Sequence, residues 1–261
     1  MSQAVADAEP VLGAQPDPLE KLDAAVIAPR HVRHYRAIAF QAYVLGASVI
    51  FVVLALAAHW VAYFPIDLII TRAVQGPHGG IYDGLMHGIS WLGFFPQVAA
   101  LSAVVILALF AFGLRWEAVS TLFATISSGV GAIVKIVVVR PRPSADLISV
   151  FRELPSSGFP SGHVLSTTAF CGFLVFLCFT LLKPSPGRTV VLVVMSLLIA
   201  LMGPSRIYLG QHWFSDVMGA YLFGSLWLAL TIRFYRWGKK RYFVHQSVAP
   251  AASATSEVGT A

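Results

Sequence analysis

Long apolar runs, separated by short polar stretches, fill most of the chain between residues 40 and 240. Six of these runs are long enough to cross a bilayer, because a transmembrane helix needs about 20 mostly apolar residues. We therefore predict six membrane-spanning helices, at about residues 40–64, 91–114, 119–139, 164–182, 190–209 and 214–234. The last two runs are nearly contiguous, so a tight turn around Gly210 must separate them.

The two ends of the chain lack this pattern. Residues 1–37 are rich in Ala, Pro and Asp, and residues 245–261 are polar. We predict a flexible N-terminal tail over 1–37, a six-helix domain over 38–244 and a flexible C-terminal tail over 245–261. The first apolar run begins too late for a secretory signal peptide, whose apolar core lies near the start of the chain, so we expect it to be a retained span.

The segment between the first two runs, at about residues 65–88, mixes apolar and polar positions and then meets Gly76, Pro77, Gly79 and Gly80. Such a mixture fits a short interfacial helix lying over a site. It fits a plain connecting loop equally well.

Composition turns these runs into a fold class. Hydrophobic residues make up 57% of the 261 positions and charged residues 11%, whereas a soluble domain carries about 25% charged residues. The predicted fold is therefore all-α, an integral membrane bundle of six transmembrane helices in a lipid bilayer. The net charge of +6 does not indicate nucleic-acid binding, because the cations gather at the ends of the apolar runs.

The positions of the basic residues predict an orientation. Twelve of the 18 Lys and Arg residues lie in the tails or in loops on the same side, and six lie on the other side. Because short cytoplasmic loops are enriched in Lys and Arg, we expect both termini in the cytoplasm. The opposite face would then meet the periplasm or the cell exterior, across the inner (plasma) membrane.

Three polar blocks interrupt the apolar pattern, each at the edge of a run. They are Lys135-x6-Arg142-Pro143, Pro160-Ser161-Gly162-His163 and Ser205-Arg206-x5-His212-x3-Asp216. Alone, the lysine could simply snorkel to the interface, and the second block could be an ordinary helix cap. Alternation of the spans brings all three blocks to the same outer face, however, so we expect them to form one site. Ionisable groups near membrane depth are costly and usually functional.

The first two blocks contain groups suited to holding a phosphate. Pro141 and Pro143 make a stiff exit from the preceding helix and present Arg142, whose planar guanidinium matches phosphate oxygens. The second block predicts the start of a helix, and a helix N-terminus binds anions through its free N–H groups and dipole. Gly162 lets an oxyanion approach the backbone, and Ser161 can add a hydroxyl donor.

The third block adds a possible nucleophile. If the stretch from His212 to Asp216 is helical, both side chains lie on one face. A carboxylate hydrogen-bonded to one ring nitrogen fixes the tautomer and makes the other nitrogen a better nucleophile or base. An aspartate that caps the helix beside an interfacial histidine is the alternative interpretation.

Metal catalysis is the main chemical alternative, and the acidic residues argue against it. Those on the predicted outer face show no paired spacing: Asp67, Asp83, Asp146, Glu153 and Asp216. A two-metal phosphatase site needs clustered carboxylates and histidines. We therefore predict no metal and no cofactor, and we expect the cations of the protein to stabilise the developing charge.

Taken together, the three blocks resemble the signature of the type 2 phosphatidic acid phosphatase (PAP2) superfamily, in its six-span membrane branch. All eleven signature positions are filled without a substitution, and the resemblance extends over about residues 40–240. It implies that His212 attacks phosphorus and becomes a phosphohistidine, that Asp216 orients it, and that His163 protonates the leaving lipid oxygen. It implies phosphate-binding roles for five further residues, Lys135, Arg142, Ser161, Gly162 and Arg206.

The resemblance also implies a substrate class. Members of this superfamily act on undecaprenyl diphosphate, phosphatidylglycerol phosphate or phosphatidate, so the expected partners are a lipid phosphate and the bilayer. Two alternatives to a metal-independent lipid phosphatase stay open at this point. One is a lipid phosphotransferase of the same superfamily, and the other is a non-enzymatic lipid-phosphate carrier. The pattern predicts no particular oligomeric state.

Overall fold

The structure, a computed structural model, describes residues 30–76 and 79–242. Within them the chain forms nine helices and no strand. We number the helices α1 Arg30–Trp60, α2 Pro65–Gln75, α3 Gly80–Leu92, α4 Phe95–Ala111, α5 Arg115–Thr125, α6 Ser127–Val138, α7 Gly162–Leu181, α8 Pro186–Tyr208 and α9 Phe214–Tyr242. The predicted C-terminal tail and the first 29 residues of the predicted N-terminal tail lie outside the described residues.

Five segments of the described chain are long and apolar enough to cross a membrane: His34–Trp60, Arg115–Val138, Gly162–Leu181, Pro186–Tyr208 and Phe214–Tyr242. The number rises to six if α3 and α4, which meet at 61°, are counted as one span. The predicted all-α membrane fold is confirmed. The span predicted at about 91–114 corresponds to α4, whose start at Phe95 follows a break in the chain at Gly93 and Phe94. Pro96 has no N–H group to continue the preceding helix, and proline suits the first turn of a new one.

Two predicted boundaries also change. Helix α1 begins at Arg30, so residues 30–37 are helical and not part of an irregular tail. The segment at 65–88 contains two helices, α2 and most of α3. Pro65 opens α2, where the backbone N–H of Phe64 donates to the Asp67 carboxylate at 2.9 Å. The described residues from Ala47 onward form one compact unit, which holds every predicted site residue.

Helix α7 is the centre of the compact unit. It packs against α5, α6, α8 and α9, and its apolar side chains point in all directions, as expected of a helix buried on every side. A core cluster fills the space between its first turns and the neighbouring helices: Met86, Ile89, Val164, Leu165, Met202, Ile207, Val217 and Ala220. This cluster lies next to the residues of the three polar blocks and supports them.

The tight turn predicted between the last two spans is confirmed at Gly210. Its φ of +62° lies in the left-handed region, which glycine adopts without a steric penalty. A Cβ atom at this position would also lie 2.1 Å from the carbonyl oxygen of Ser149. The turn therefore requires glycine for both its conformation and its space, and it sets the position of the residues that follow.

Candidate active site

The first polar block leaves α6 through a sharp change of backbone direction. Val139 follows the helix with a φ of +47°, a left-handed conformation that is strained for a β-branched residue. Lys135 donates to the carbonyl oxygen of Ser157 at 2.8 Å. Arg142 donates to the carbonyl and hydroxyl oxygens of Ser156 at 2.7 and 3.0 Å. Both cations are thus anchored on the loop that leads into the second block.

The second block begins α7, as the sequence predicts. Ser161 is the N-cap and Gly162 the first helical residue. A Cβ atom at Gly162 would lie 3.9 Å from Cε of Lys135, so the lysine runs beside the helix N-terminus. The backbone N–H of Ser161 donates to the carbonyl oxygen of Asp216 at 3.2 Å, which joins the second block to the third.

His212 of the third block is buried, and its tautomer follows from its partners. Its Nδ1 lies 2.8 Å from the carbonyl oxygen of Gly158, and its Nε2 lies 3.2 Å from Nη1 of Arg142. A carbonyl only accepts and a guanidinium only donates, so Nδ1 carries the proton and Nε2 the lone pair. Burial first, and then the charges of Arg142, Lys135 and Arg206, lower the pKa of His212 well below its ordinary value. The imidazole is therefore neutral and its Nε2 is available for bonding.

Asp216 does not make the hydrogen bond predicted for it. His212 precedes α9 and is not helical, while Asp216 lies in the first turn of that helix. Its Oδ2 is 3.6 Å from Nδ1 of His212, and it accepts instead from the backbone N–H of Trp213 at 2.9 Å. The carbonyl of Gly158 is thus the acceptor that fixes the imidazole. Asp216 holds the turn and places a negative charge nearby.

A buried charge network that the sequence did not predict lies behind Asp216. The fully buried Arg140 donates to Oδ1 of Asp216 and to the hydroxyl of Ser215, each at 2.7 Å, and to Asp67 at 3.0 Å. Asp67, at the start of α2, also accepts from the N–H and hydroxyl of Ser215 at 2.7 and 2.8 Å. One guanidinium therefore ties two carboxylates from distant parts of the chain together.

Arg206 is enclosed by residues from α3, from the break after it and from the turn before α9. Its guanidinium donates to the hydroxyl of Ser90 and to the side-chain oxygen of Gln211. Its Cζ lies 5.7 Å from the ring centre of Phe94, a cation–π distance. The same ring meets His163 edge-on, with 5.0 Å between ring centres. No spacing in the sequence pointed to Ser90, Phe94 or Gln211, because their segments become neighbours only in the folded chain.

The eight predicted site residues form one cluster with unused hydrogen-bonding capacity. Among the described residues, four buried atoms of this region have no hydrogen-bond partner: Ser161 Oγ, His163 Nε2, Arg206 Nε and Gln211 Nε2. They lie with the N-terminus of α7 and the ammonium of Lys135, an arrangement suited to a tetrahedral oxyanion.

Electrostatics points to the same ligand. The region holds four cationic side chains, of which Arg140 and Arg206 are buried and Lys135 and Arg142 half-buried, and two buried carboxylates, Asp67 and Asp216. Buried like charges destabilise a fold unless an opposite charge compensates them, and the surplus of two positive charges matches a phosphate dianion. In the described part of the chain, no three His, Cys, Asp or Glu side chains are grouped to hold a metal ion.

Fold and site together define an all-helical membrane protein with a cluster of cationic side chains at the ends of its helices. Comparison with known families identifies it further, because residues 100–240 match the PAP2 superfamily. The chain belongs to this superfamily, as its three polar blocks predicted. It is 30% identical to phosphatidylglycerophosphatase B of Bacillus subtilis (strain 168) over 182 residues, which cover 67% of this chain and 86% of that protein.

Two solved structures share the fold. The crystal structure of a transmembrane PAP2-type phosphatidylglycerolphosphate phosphatase from Bacillus subtilis superposes with a TM-score of 0.65 and 24% identity, covering 75% of this chain and 96% of that one. Aquifex aeolicus LpxE gives a TM-score of 0.50 and 20% identity, covering 65% and 96% of the two chains. These likenesses concern the fold alone.

Proposed function

We propose that this protein is a metal-independent lipid phosphatase that works through a phosphohistidine on His212. One observation carries the proposal. His212 Nε2, which carries the lone pair, lies 3.2 Å from Nη1 of Arg142, in a cluster of buried and half-buried cations whose formal charge surplus matches a phosphoryl dianion. A neutral imidazole held in one tautomer beside cationic phosphate ligands is suited to nucleophilic attack on phosphorus.

In the first step, Nε2 of His212 bonds to phosphorus as the bond from phosphorus to the lipid oxygen breaks. The departing oxygen takes its proton from His163, at the start of α7, which the negative charge of the bound phosphate keeps protonated. Lys135, Arg142 and Arg206, with Ser161 and the backbone N–H of Gly162, bind the phosphoryl oxygens while their charge develops.

In the second step, water hydrolyses the phosphohistidine. The water oxygen bonds to phosphorus, the phosphorus–nitrogen bond breaks, and its electron pair returns to Nε2. His163, neutral after the first step, accepts the proton released by the water. Inorganic phosphate then leaves and both histidines regain their starting states.

Asp216 and Gly158 share the task of supporting His212 in this proposal. The carbonyl of Gly158 keeps the proton on Nδ1. Asp216, 3.6 Å from that nitrogen, stabilises the positive charge that the ring gains when the phosphorus–nitrogen bond forms. Arg140 binds the other oxygen of this carboxylate, Oδ1, at 2.7 Å.

Phosphatidylglycerol phosphate is the substrate that we propose first. The support is the 30% identity to a phosphatidylglycerophosphatase over 86% of that protein's length. Undecaprenyl diphosphate and phosphatidate remain the other members of the substrate panel. We further propose that the site faces the periplasm or cell exterior and that both termini are cytoplasmic, on the basis of the distribution of Lys and Arg.

Phosphate release from these three lipids, measured with the purified protein in detergent, tests the proposal. We expect turnover of at least one lipid, unchanged by EDTA and abolished in His212→Ala. Activity that disappears with EDTA would contradict the metal-independent mechanism. Transfer of the phosphoryl group to an added alcohol in preference to water would instead identify a phosphotransferase. Lipid translocation that persists in a His163→Ala, His212→Ala double variant would identify a carrier.

A further inference from the structure

Gln211, immediately before His212, has hydrogen-bonding capacity that the steps above do not use. Its side chain is 1% exposed. Its amide oxygen accepts from Arg206, and its backbone carbonyl accepts from Nη1 of Arg142 at 2.6 Å. Because a guanidinium only donates, the amide oxygen must face Arg206 and the amide nitrogen must point elsewhere. That nitrogen has no hydrogen-bond partner within the described chain.

Another buried glutamine shows how the protein satisfies such a group when its role is structural. Nε2 of Gln75 donates to the carbonyl oxygens of Ser149 and Tyr208 at 2.7 and 2.8 Å. Its Oε1 accepts from the backbone N–H of Ser149 at 3.2 Å. An unpaired buried donor destabilises a fold. The unused donor of Gln211, unlike the paired amide of Gln75, therefore indicates a partner that binds from outside the chain.

The unused donor lies beside the place where phosphorus must sit. Gln211 is held between Arg206 and Arg142, which we propose as phosphate ligands, and its neighbour His212 is the proposed nucleophile. An open cleft of about 180 Å³, lined partly by Arg142, Arg152, Glu153 and Gln211, adjoins this region. Gln211 thus lies between the proposed phosphate pocket and the outside.

We propose that Nε2 of Gln211 donates a hydrogen bond to a phosphoryl oxygen, both in the bound substrate and in the phosphohistidine. The inference rests on the proposed function and adds a ligand to its site. Phosphoryl transfer spreads negative charge over three equatorial oxygens. A neutral donor stabilises that charge without adding to the repulsion among Lys135, Arg142 and Arg206. Arg206 fixes the amide, so little conformational freedom is lost when the ligand binds.

Binding of orthovanadate, an analogue of the transferred phosphoryl group, tests this role without any lipid. Gln211→Leu keeps a similar volume and removes the donor. We expect the dissociation constant for vanadate to rise at least about tenfold in this variant, the loss typical of one hydrogen bond to a charged group. We expect kcat/KM for the lipid to fall by a similar factor. Gln75→Leu is the matched control: it removes a buried amide that is fully paired within the protein, so it should lower the unfolding temperature while weakening vanadate binding less than Gln211→Leu does.

A second variant separates the donor from a mere support for Arg206. Gln211→Glu keeps an oxygen that accepts from Arg206, but it loses the donor and adds a negative charge. The proposal predicts that Gln211→Glu binds vanadate at least as weakly as Gln211→Leu does. Retention of wild-type vanadate affinity by a folded Gln211→Glu or Gln211→Leu protein would overturn it.

The same measurements distinguish this inference from the proposed function. Wild-type protein that binds vanadate but releases phosphate from no lipid would contradict the lipid-phosphatase proposal. The vanadate affinities of the two Gln211 variants would still support or overturn the role of the amide. Tight vanadate binding that disappears in both variants, with unfolding temperatures near that of the wild type, supports the assignment.

Discussion

At the scale of single residues, the proposed nucleophile depends on a backbone carbonyl for its tautomer and on a buried arginine for its electrostatic surroundings. The Gly158 carbonyl lies 2.8 Å from Nδ1 of His212. Arg140 binds Asp216 at 2.7 Å and Asp67 at 3.0 Å with different nitrogens of one guanidinium. Removing one partner of a buried ion pair is costly, since the remaining charge stays in a low-dielectric interior.

Replacement of Arg140 by methionine tests this network. The substitution leaves the carboxylates of Asp67 and Asp216 buried without their cation, so we expect a loss of about 3–5 kcal/mol in the free energy of unfolding. Denaturant unfolding in detergent measures it. Arg140→Lys should be intermediate, because one ammonium cannot reproduce a two-armed guanidinium. The exposed Arg152→Lys is the control. Equal stability of Arg140→Met and wild type would show that the network contributes nothing.

The residues of the three blocks could be predicted from the sequence, while the groups that hold them in place could not. Each block is a short motif whose chemistry is visible in its own spacing. Asp67, in contrast, reaches Arg140 across 73 positions, and Gly158 acts through its backbone, which side-chain chemistry does not reveal. The expected bond between His212 and Asp216 assumed a helix where the chain forms a turn.

At the scale of elements, helices α2 and α3 hold the third block in place. Helix α2 is fixed at both ends, by Asp67 to Ser215 and by Gln75 to the carbonyl of Tyr208. These two contacts bracket the turn that carries His212. The break after α3 brings Gly93 against the site, where an added Cβ would lie 2.5 Å from Cδ2 of His163.

Gly93→Ala tests whether this close approach positions His163. The new methyl group must displace either the imidazole or Met202, whose Cε would lie at 2.9 Å. We expect kcat to fall about 10- to 100-fold, because a displacement of about 1 Å at a reacting group has effects of this size. Gly88→Ala, in α3 with nothing within 4 Å of the new methyl group, should retain full activity. Full activity in both variants would contradict the positioning role.

The break between α3 and α4 also shows what periodicity misses. Apolar residues continue through Trp91, Leu92, Phe94 and Phe95, so the hydrophobic pattern alone predicts a span that begins at about Trp91. Pro96 and the packing of Phe94 against Arg206 and His163 decide otherwise. The contacts of the Phe94 ring with Arg206 and His163 are tertiary, so the local hydrophobic pattern cannot predict where the helix breaks.

At the scale of the whole molecule, the three polar blocks meet on one side of the helix bundle. The first block follows α6, the second begins α7, and the third runs from the end of α8 into α9. These ends meet in one cluster of contacts, as expected if the spans alternate in direction. Which side of the membrane carries the cluster is proposed from the distribution of Lys and Arg alone.

Cysteine labelling on intact cells tests that proposal. Cys171 and Cys178, which are both free thiols, are first replaced by serine. In this background the exposed Ala145→Cys should react with a membrane-impermeant thiol reagent. The exposed Pro184→Cys, between α7 and α8 on the opposite side, should react only after the cells are permeabilised. The reverse pattern would place the site in the cytoplasm.

The most direct test of the account is detection of the covalent intermediate on His212. We propose rapid mixing with an aryl phosphate, quenching in alkali, where phosphohistidine survives, and mass spectrometry of the peptide containing His212. We expect a phosphoryl group on His212 in the wild type, and a larger phosphorylated fraction of His212 in His163→Ala. A good leaving group needs no acid, whereas hydrolysis of the intermediate then lacks its base. Turnover with no phosphoryl group on His212, or with the label on His163, would contradict the account.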